Sequence, residues 1–352
     1  MGNYLSRPVL HSKIESPKTR PNTTPLDWSP FRLLPNEIIL HISSFLPRDE
    51  IAALALTCQP LRLALPKSSF SLPWENKVNF LHLLERDLPG HVVCRYCRKL
   101  HAIKKAELYL LTRAMRAPYS ACRWEQMWSN IEWYFHKGFS IVAFEMAVKQ
   151  HRQGLDTSRL LGLLSSEART YQKDGYVEEH RALARVVDNC LIMRDQRTCF
   201  MPASHQEPLP RKGRFIICPH FTLSMYSMET LNRLSDQFEG SDSPGPQACR
   251  PGTGLIPCRY CHTELQVDFR TLGEFGTGVS ITTWKDAGGS LLDDKWRGHI
   301  GSEVDMVPFD RGSICSAFEN EDYRLFKLDW SLDSEVRKML LKGKTSAKQM
   351  FR

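Results

Sequence analysis

The chain has 352 residues, 42% hydrophobic and 24% charged, an ordinary balance for one or two globular domains with a real core. Its formal charge of +8 is spread along the chain rather than blocked, which permits contact with nucleic acid or acidic membrane and specifies neither. No stretch reaches the roughly 18 apolar residues of a membrane span, and residues 1–20 hold no apolar run of a secretory signal. The expected compartment is therefore reducing, cytoplasmic or nuclear. There, eleven cysteines point to metal ligands or buried thiols rather than disulfides.

Residues 1–29 are rich in Pro, Ser, Thr and Lys and are predicted to be disordered. Met1 to Ser6 fits the N-myristoylation pattern with Gly2 as acceptor, and Arg7, Lys13, Lys18 and Arg20 would add attraction to anionic lipid. The commonness of Gly and Ser explains the match more simply. Membrane association is expected only if Gly2 is acylated.

Residues 30–66 form a dense apolar block, FRLLPNEIILHISSFLPRDEIAALALTCQPLRLAL over 31–65. Pro35 suits the first turn of a helix, where its missing N–H costs nothing. Leu34, Ile38, Ile42, Phe45 and Leu46 recur at steps of three to four, and Ile39 widens that face. Pro47 ends the helix and Asp49 is placed to cap the next. Ile51, Leu54, Ala55 and Cys58 continue the helical spacing. Pro60 breaks it, and Leu61 and Leu65 start a third short helix. Three helices in so short a span cannot bury this much apolar surface among themselves. Some must face the rest of the chain or a partner.

Leu34-Pro35-Asn36-Glu37-Ile38, with Ile42, Phe45-Leu46, Asp49, Leu54, Cys58 and Arg62, resembles the F-box motif. The family's aromatic-rich third helix is weak here. The resemblance implies a non-catalytic adaptor that docks on a Skp subunit, and through it a cullin, and presents a protein substrate to a Skp–cullin–F-box ubiquitin ligase. It makes Leu34, Pro35, Ile38, Ile39, Ile42 and Leu46 the docking candidates, with Leu54 and Cys58 holding the helices together. The phrases LPGHVVCRYCRKLH, GFSIVAFEMAVKQHRQG and ITTWKD resemble those of fungal proteins with a short N-terminal F-box and an uncharacterised C-terminal domain.

After a short linker, residues 74–330 are expected to form an α+β substrate-receptor domain. Helical spacing predicts helices over 76–88, 106–116, 124–135, 140–151 and 158–168. Residues 185–202, 214–225, 265–269 and 279–285 read as strands, separated by a Gly/Pro/Ser loop at 240–254 and another at 286–289. Helices first and strands later indicate an α+β fold with a small antiparallel β portion. A helix over 333–342 opens the basic tail at 331–352.

The tetrapeptide CRYC occurs twice, at Cys94–Cys97 and Cys258–Cys261. Cys-x-x-Cys supplies half a zinc site, because a tight turn lets two thiolates reach one ion. The two copies lie far beyond the roughly 15–20 residues that separate the halves of a local finger. Four arrangements remain open. Both pairs could share one ion and clamp the helical part to the strand part. Cys218 and His220 could join Cys258 and Cys261. Cys94, Cys97 and His101 could form a partial site. The thiols could bind nothing. Structural zinc is the favoured reading.

The alternative function is a zinc-containing nucleic-acid-binding or scaffold protein. Arg95, Arg98, Lys99, Lys104 and Lys105 surround Tyr96 beside the first CRYC, but no recognition module accompanies them. Asp293, Asp294, Asp305 and Asp310 have no catalytic spacing, so no catalytic residues are expected.

Overall fold

The computed structural model describes residues 34–94, 97–110, 131–136, 138–173, 176–201, 214–224, 254–301, 308–328, 330, 334 and 336–340. Gly2 and the segment expected to be disordered lie outside the described residues. So do residues 111–116 and 124–130 of two expected helices, most of the Gly/Pro/Ser loop, and the tail beyond residue 340. The chain divides into two units, Met1–Leu83 and Leu84–Arg352.

In the first unit α1 (Asn36–Ser44), α2 (Arg48–Thr57) and α3 (Gln59–Ala64) follow one another with tight turns, and a 3-10 turn (Lys67–Phe70) leads to α4 (Trp74–Asp87). Pro35 occupies the N-cap of α1, and its carbonyl accepts from the N–H of Ile38 at 3.0 Å and of Ile39 at 3.2 Å. Asp49 does not cap α2. That helix starts earlier, with Pro47 at its N-cap, so Asp49 falls inside the first turn. There it is buried, and its carboxylate accepts from Asn76 Nδ2 of α4 at 3.0 Å. Pro60 does not break a helix but sits in the first turn of α3, where its ring and fixed φ are compatible. Ile39, Ala55, Leu61 and Leu65 form the core of this unit, ringed by Leu34, Ile51, Leu54 and Cys58.

The second unit is α+β. A hairpin of β1 (His91–Cys94) and β2 (Lys99–Ala102) leads into 3-10 turns over Ile103–Tyr109, where part of a regular helix was expected. Then come α5 (Ile131–Tyr134), α6 (Ile141–Arg152) and α7 (Ser158–Leu164). Ser140 caps α6, its Oγ accepting from Ala143 N at 3.3 Å and donating to Tyr109 O at 3.1 Å. The first two turns of α6 are apolar almost all round, with Ile141 through Phe144 and Met146 through Val148 buried. Such a helix must lie inside its unit.

The main sheet is antiparallel and six-stranded, in the order β3-β4-β5-β10-β9-β8. Its strands are β3 (Ser166–Lys173), β4 (Tyr176–Val187), β5 (Cys190–Met201), β8 (Ile256–Pro257), β9 (Thr263–Thr271) and β10 (Thr277–Asp286). A separate hairpin pairs β6 (Arg214–Cys218) with β7 (Phe221–Ser224). Residues 185–202, read as one strand, contain a hairpin: Asp188 (φ 49°) and Asn189 (φ 62°) both take the left-handed conformation of a two-residue turn. Residues 214–225 likewise fold back at Pro219-His220.

The central strand β10 is buried on both faces. Val279 and Ile281 meet Phe215, Ile217 and Leu223 of the β6–β7 hairpin. Trp284 faces the other way, toward Ile314, Cys315 and Phe318 of α9 (Ser313–Glu319). A third cluster packs α6 and α7 with Phe135, Phe139 and Trp296, the last from α8 (Asp294–His299). At one edge β3 has a register shift between Ser166 and Arg169 and exposes Glu167, Arg169, Tyr171 and Gln172. Residues 336–340 are helical, with Val336 and Leu340 buried.

Candidate docking face and metal centres

In α1, Ile39 and Ser43 point inward. With 3.6 residues per turn, Ile38, Ile42 and Phe45 fall together on a stripe at i, i+4 and i+7, about 60–120° round from Ile39. They are 44%, 37% and 75% exposed. Leu40 is also exposed but stands on the opposite side of the axis. Leu56 and Leu63 of α2 and α3 add exposed apolar surface.

Of the sequence candidates, Pro35, Ile38 and Ile42 are exposed, and Leu34 and Leu46 are half-buried. Ile39, at 6% exposure, is a core residue and not a docking residue. Widening the apolar stripe by one position had merged two faces that the helix keeps apart. Phe45 is the most exposed member of the stripe and was not among the candidates. Its place three residues after Ile42 was the available signal.

The two CRYC motifs do not share a site. Cys258 and Cys261, from the loop between β8 and β9, meet Cys218 and His220 from the β6–β7 turn, with the four donor atoms all within 4.8 Å of one another. Cys94 and Cys97 group instead with His101. The arrangement in which both pairs clamp the helical part to the strand part is therefore not the one formed among the described residues. The four-donor group joins one β-hairpin to the loop that enters β9, two turns that come together where the β6–β7 hairpin packs on β9 and β10.

That loop is held by its backbone. Cys258 N donates to Thr263 O at 2.8 Å and Thr263 N donates to Cys261 O at 2.7 Å. Tyr260 N points at Cys258 Sγ, 3.4 Å away. Gly298 of α8 lies against the loop, where an added Cβ would come within 3.4 Å of Cys261 Cβ. Cys218, Cys258 and Cys261 are buried and His220 is exposed, so the imidazole closes the group from the solvent side. The Tyr260 ring lies 5.4 Å from that of His220. A cavity of about 40 Å³ lined by Ile217, Phe221, Ile256, Pro257 and Leu265 adjoins the group.

The geometry fits a tetrahedral ion. With metal–sulfur bonds of about 2.3 Å and metal–nitrogen bonds of about 2.0 Å, the edges of the tetrahedron are about 3.8 Å between sulfurs and 3.5 Å between sulfur and nitrogen. Cys218 Sγ lies 3.7 Å from Cys258 Sγ, and Cys258 Sγ lies 3.9 Å from His220 Nδ1. The electrostatics point the same way. Hydrogen bonds from Cys218 and Cys261, with the nearby backbone N–H groups, pull the Cys258 thiol below the usual thiol range. Cys218 is pushed up to about 12 by its contact with Cys258, and Cys261 is pushed up by contact with both. Three sulfurs in mutual contact can all ionise only around a cation.

The sheet also carries a buried charged group that no motif announced. Asp195 is nine-tenths buried, yet Arg197, at 3.3 Å, and a hydrogen bond from His180 outweigh that burial and keep it ionised below the usual carboxylate range. Lys285 is fully buried and donates to the Tyr134 carbonyl. Burial pulls its pKa down, and Asp195 opposes the shift. Such residues escape sequence reading because their burial depends on what packs over them, with Arg197 two residues along the same strand, His180 on β4 and the Tyr134 carbonyl on α5.

No family model matches this chain, and neither does any curated protein or solved structure.

Proposed function

We propose that this chain is a docking subunit. Residues 34–65 bind a Skp-type adaptor, and through it a cullin, while the larger unit receives a protein substrate for ubiquitin transfer. What supports the reading is the apolar stripe of Ile38, Ile42 and Phe45 on α1, beside Pro35, in a unit whose own core is already filled by Ile39, Ala55, Leu61 and Leu65. The motif at 34–62 supplies the identity of the partner, and the exposed stripe supplies a surface for it. In the larger unit, Cys218, His220, Cys258 and Cys261 hold one zinc ion in a structural role. Three thiolates and one imidazole suit zinc, and they close its coordination with no position left for substrate.

The test of docking is co-purification with a Skp adaptor. Pro35→Ala/Ile38→Ala/Phe45→Ala should lose most of the adaptor, because central apolar anchors each contribute about 2 kcal/mol or more. Leu40→Ala, on the opposite side of α1, should retain it. All these positions are exposed, so the three-helix core stays intact. Equal adaptor recovery from both variants would refute the docking reading.

A further inference from the structure

We propose that Arg169, His180 and Arg197 form an oxyanion site on the main sheet and that its ligand is a phosphate group. The three residues stand in one row across three neighbouring strands. Arg169 of β3 pairs with His180 of β4, and His180 pairs with Arg197 of β5. Directly opposed residues of an antiparallel ladder project to the same face, about 5 Å apart. The register shift after Ser166 is what sets Arg169 opposite His180. The charges acting on the buried His136 ring include Asp195, His180 and Arg169, as expected for side chains on one side of the sheet.

One buried carboxylate holds the row in place. Asp195, on the same face of β5, accepts from His180 Nε2, and its Oδ2 lies 3.3 Å from Arg197 Nε. Two cationic side chains are thus oriented through one nitrogen each. No hydrogen bond engages His180 Nδ1, or Nη1 and Nη2 of Arg197, among the described residues. Arg169 is exposed and has no ion-pair partner among the described residues. Lys285 on β10 adds charge to this face but turns its ammonium to the Tyr134 carbonyl. Glu178, the next residue on this face of β4, makes no ion pair among the described residues. The β6–β7 hairpin covers the β10 side, with a water-sized cavity of about 10 Å³ between Asp195, Arg197, Phe215 and Ile217. Exposure then rises through His180 to Arg169, so a ligand approaches from the β3 margin.

The chemistry selects the ligand. Guanidinium groups are charged at every physiological pH, and two of them flank the imidazole. Asp195 is a single counter-charge shared between Arg197 and His180, which leaves the row a positive excess that favours a dianion. Three donor groups match the three outer oxygens of a phosphate, whereas a carboxylate has two oxygens and leaves one donor unmet. The inference does not depend on the docking reading, nor on the ion at Cys218.

The test is calorimetric titration of the full-length chain with O-phosphoserine, inorganic phosphate and acetate at low salt. Wild type should bind both phosphates saturably and acetate far more weakly. Arg169→Gln should weaken phosphate binding about tenfold, the loss of one charge-assisted contact. Arg181→Gln makes the same change of charge on the opposite face of β4 and should bind as wild type does. Both arginines are exposed, so neither variant threatens the fold. Tighter binding of O-phosphoserine than of inorganic phosphate would assign an esterified phosphate, and equal binding a free one. No saturable binding by wild type, undiminished binding by Arg169→Gln, or an equal loss in Arg181→Gln would overturn the site. Acetate binding as tightly as phosphate would overturn the choice of ligand.

Discussion

At the level of single residues, His136 shows how burial decides a charge state. Its Nε2 lies 2.7 Å from Leu164 O, and its Nδ1 accepts from Gly138 N–H at 3.1 Å. A carbonyl only accepts and an amide only donates, so the ring is the neutral tautomer with its proton on Nε2. Burial pushes its pKa below the ordinary 6.5, with the Leu164 carbonyl opposing. The unfolded chain therefore takes up a proton below about pH 6.5 that the folded chain refuses. Stability from this group is complete above that pH and falls as the solution is acidified, by at most about 1.4 kcal/mol per pH unit. Urea unfolding at pH 7.5 and 5.5 should show a smaller loss for His136→Gln than for wild type. Nothing in the sequence marked His136, whose partners are a helix end and a turn. The Cys and His residues that the fold gathers were legible as candidates, because Cys-x-x-Cys and Cys-Pro-His announce themselves. Which halves combine was not, since that depends on how the separate β6–β7 hairpin packs on the main sheet.

At the level of elements, α9 is capped from outside itself. Gly312 holds its N-cap position at φ 89°, and any Cβ there would fall 2.0 Å from the Tyr323 ring. Glycine has no side chain to cap with. Glu264 of β9, fully buried, instead accepts from the N–H groups of Gly312 and of Cys315, the latter at 2.8 Å. Burial raises its pKa against the pull of those N–H groups. Glu264→Ala should cost about 3 kcal/mol by chemical denaturation, because it strands two buried donors, and Glu264→Gln should cost less than half as much. The order of helices and strands was readable from periodicity, as in α6 and β10. The turns were less so. Asp188-Asn189 lacks the glycine of the strongest hairpin signals and sits inside an apolar run. Ser165 to Ala168, read as the end of a helix, leaves α7 and enters β3, where pairing with β4 overrides local propensity.

At the level of the whole molecule, each unit has a core of its own. Cys261→Ser, by opening the four-donor centre, should lower the melting temperature of the larger unit by about 5–10 °C, while adaptor binding through α1 persists. Differential scanning calorimetry alongside the co-purification assay reads both. Loss of adaptor binding together with the melting shift would show that the proposed docking by the first unit depends on the larger one. The boundary at Leu83–Leu84 falls within α4, a helix whose pattern reads as continuous, so no change in composition announced it. The margins of the main sheet have a further consequence. On one side the last strand is only two residues long; on the other, β3 is kinked by its register shift and studded with Glu167 and Arg169. At the β3 border a newcomer strand finds no long, flat, oily template, so crowding in the cell should not drive this protein into fibrils through that edge.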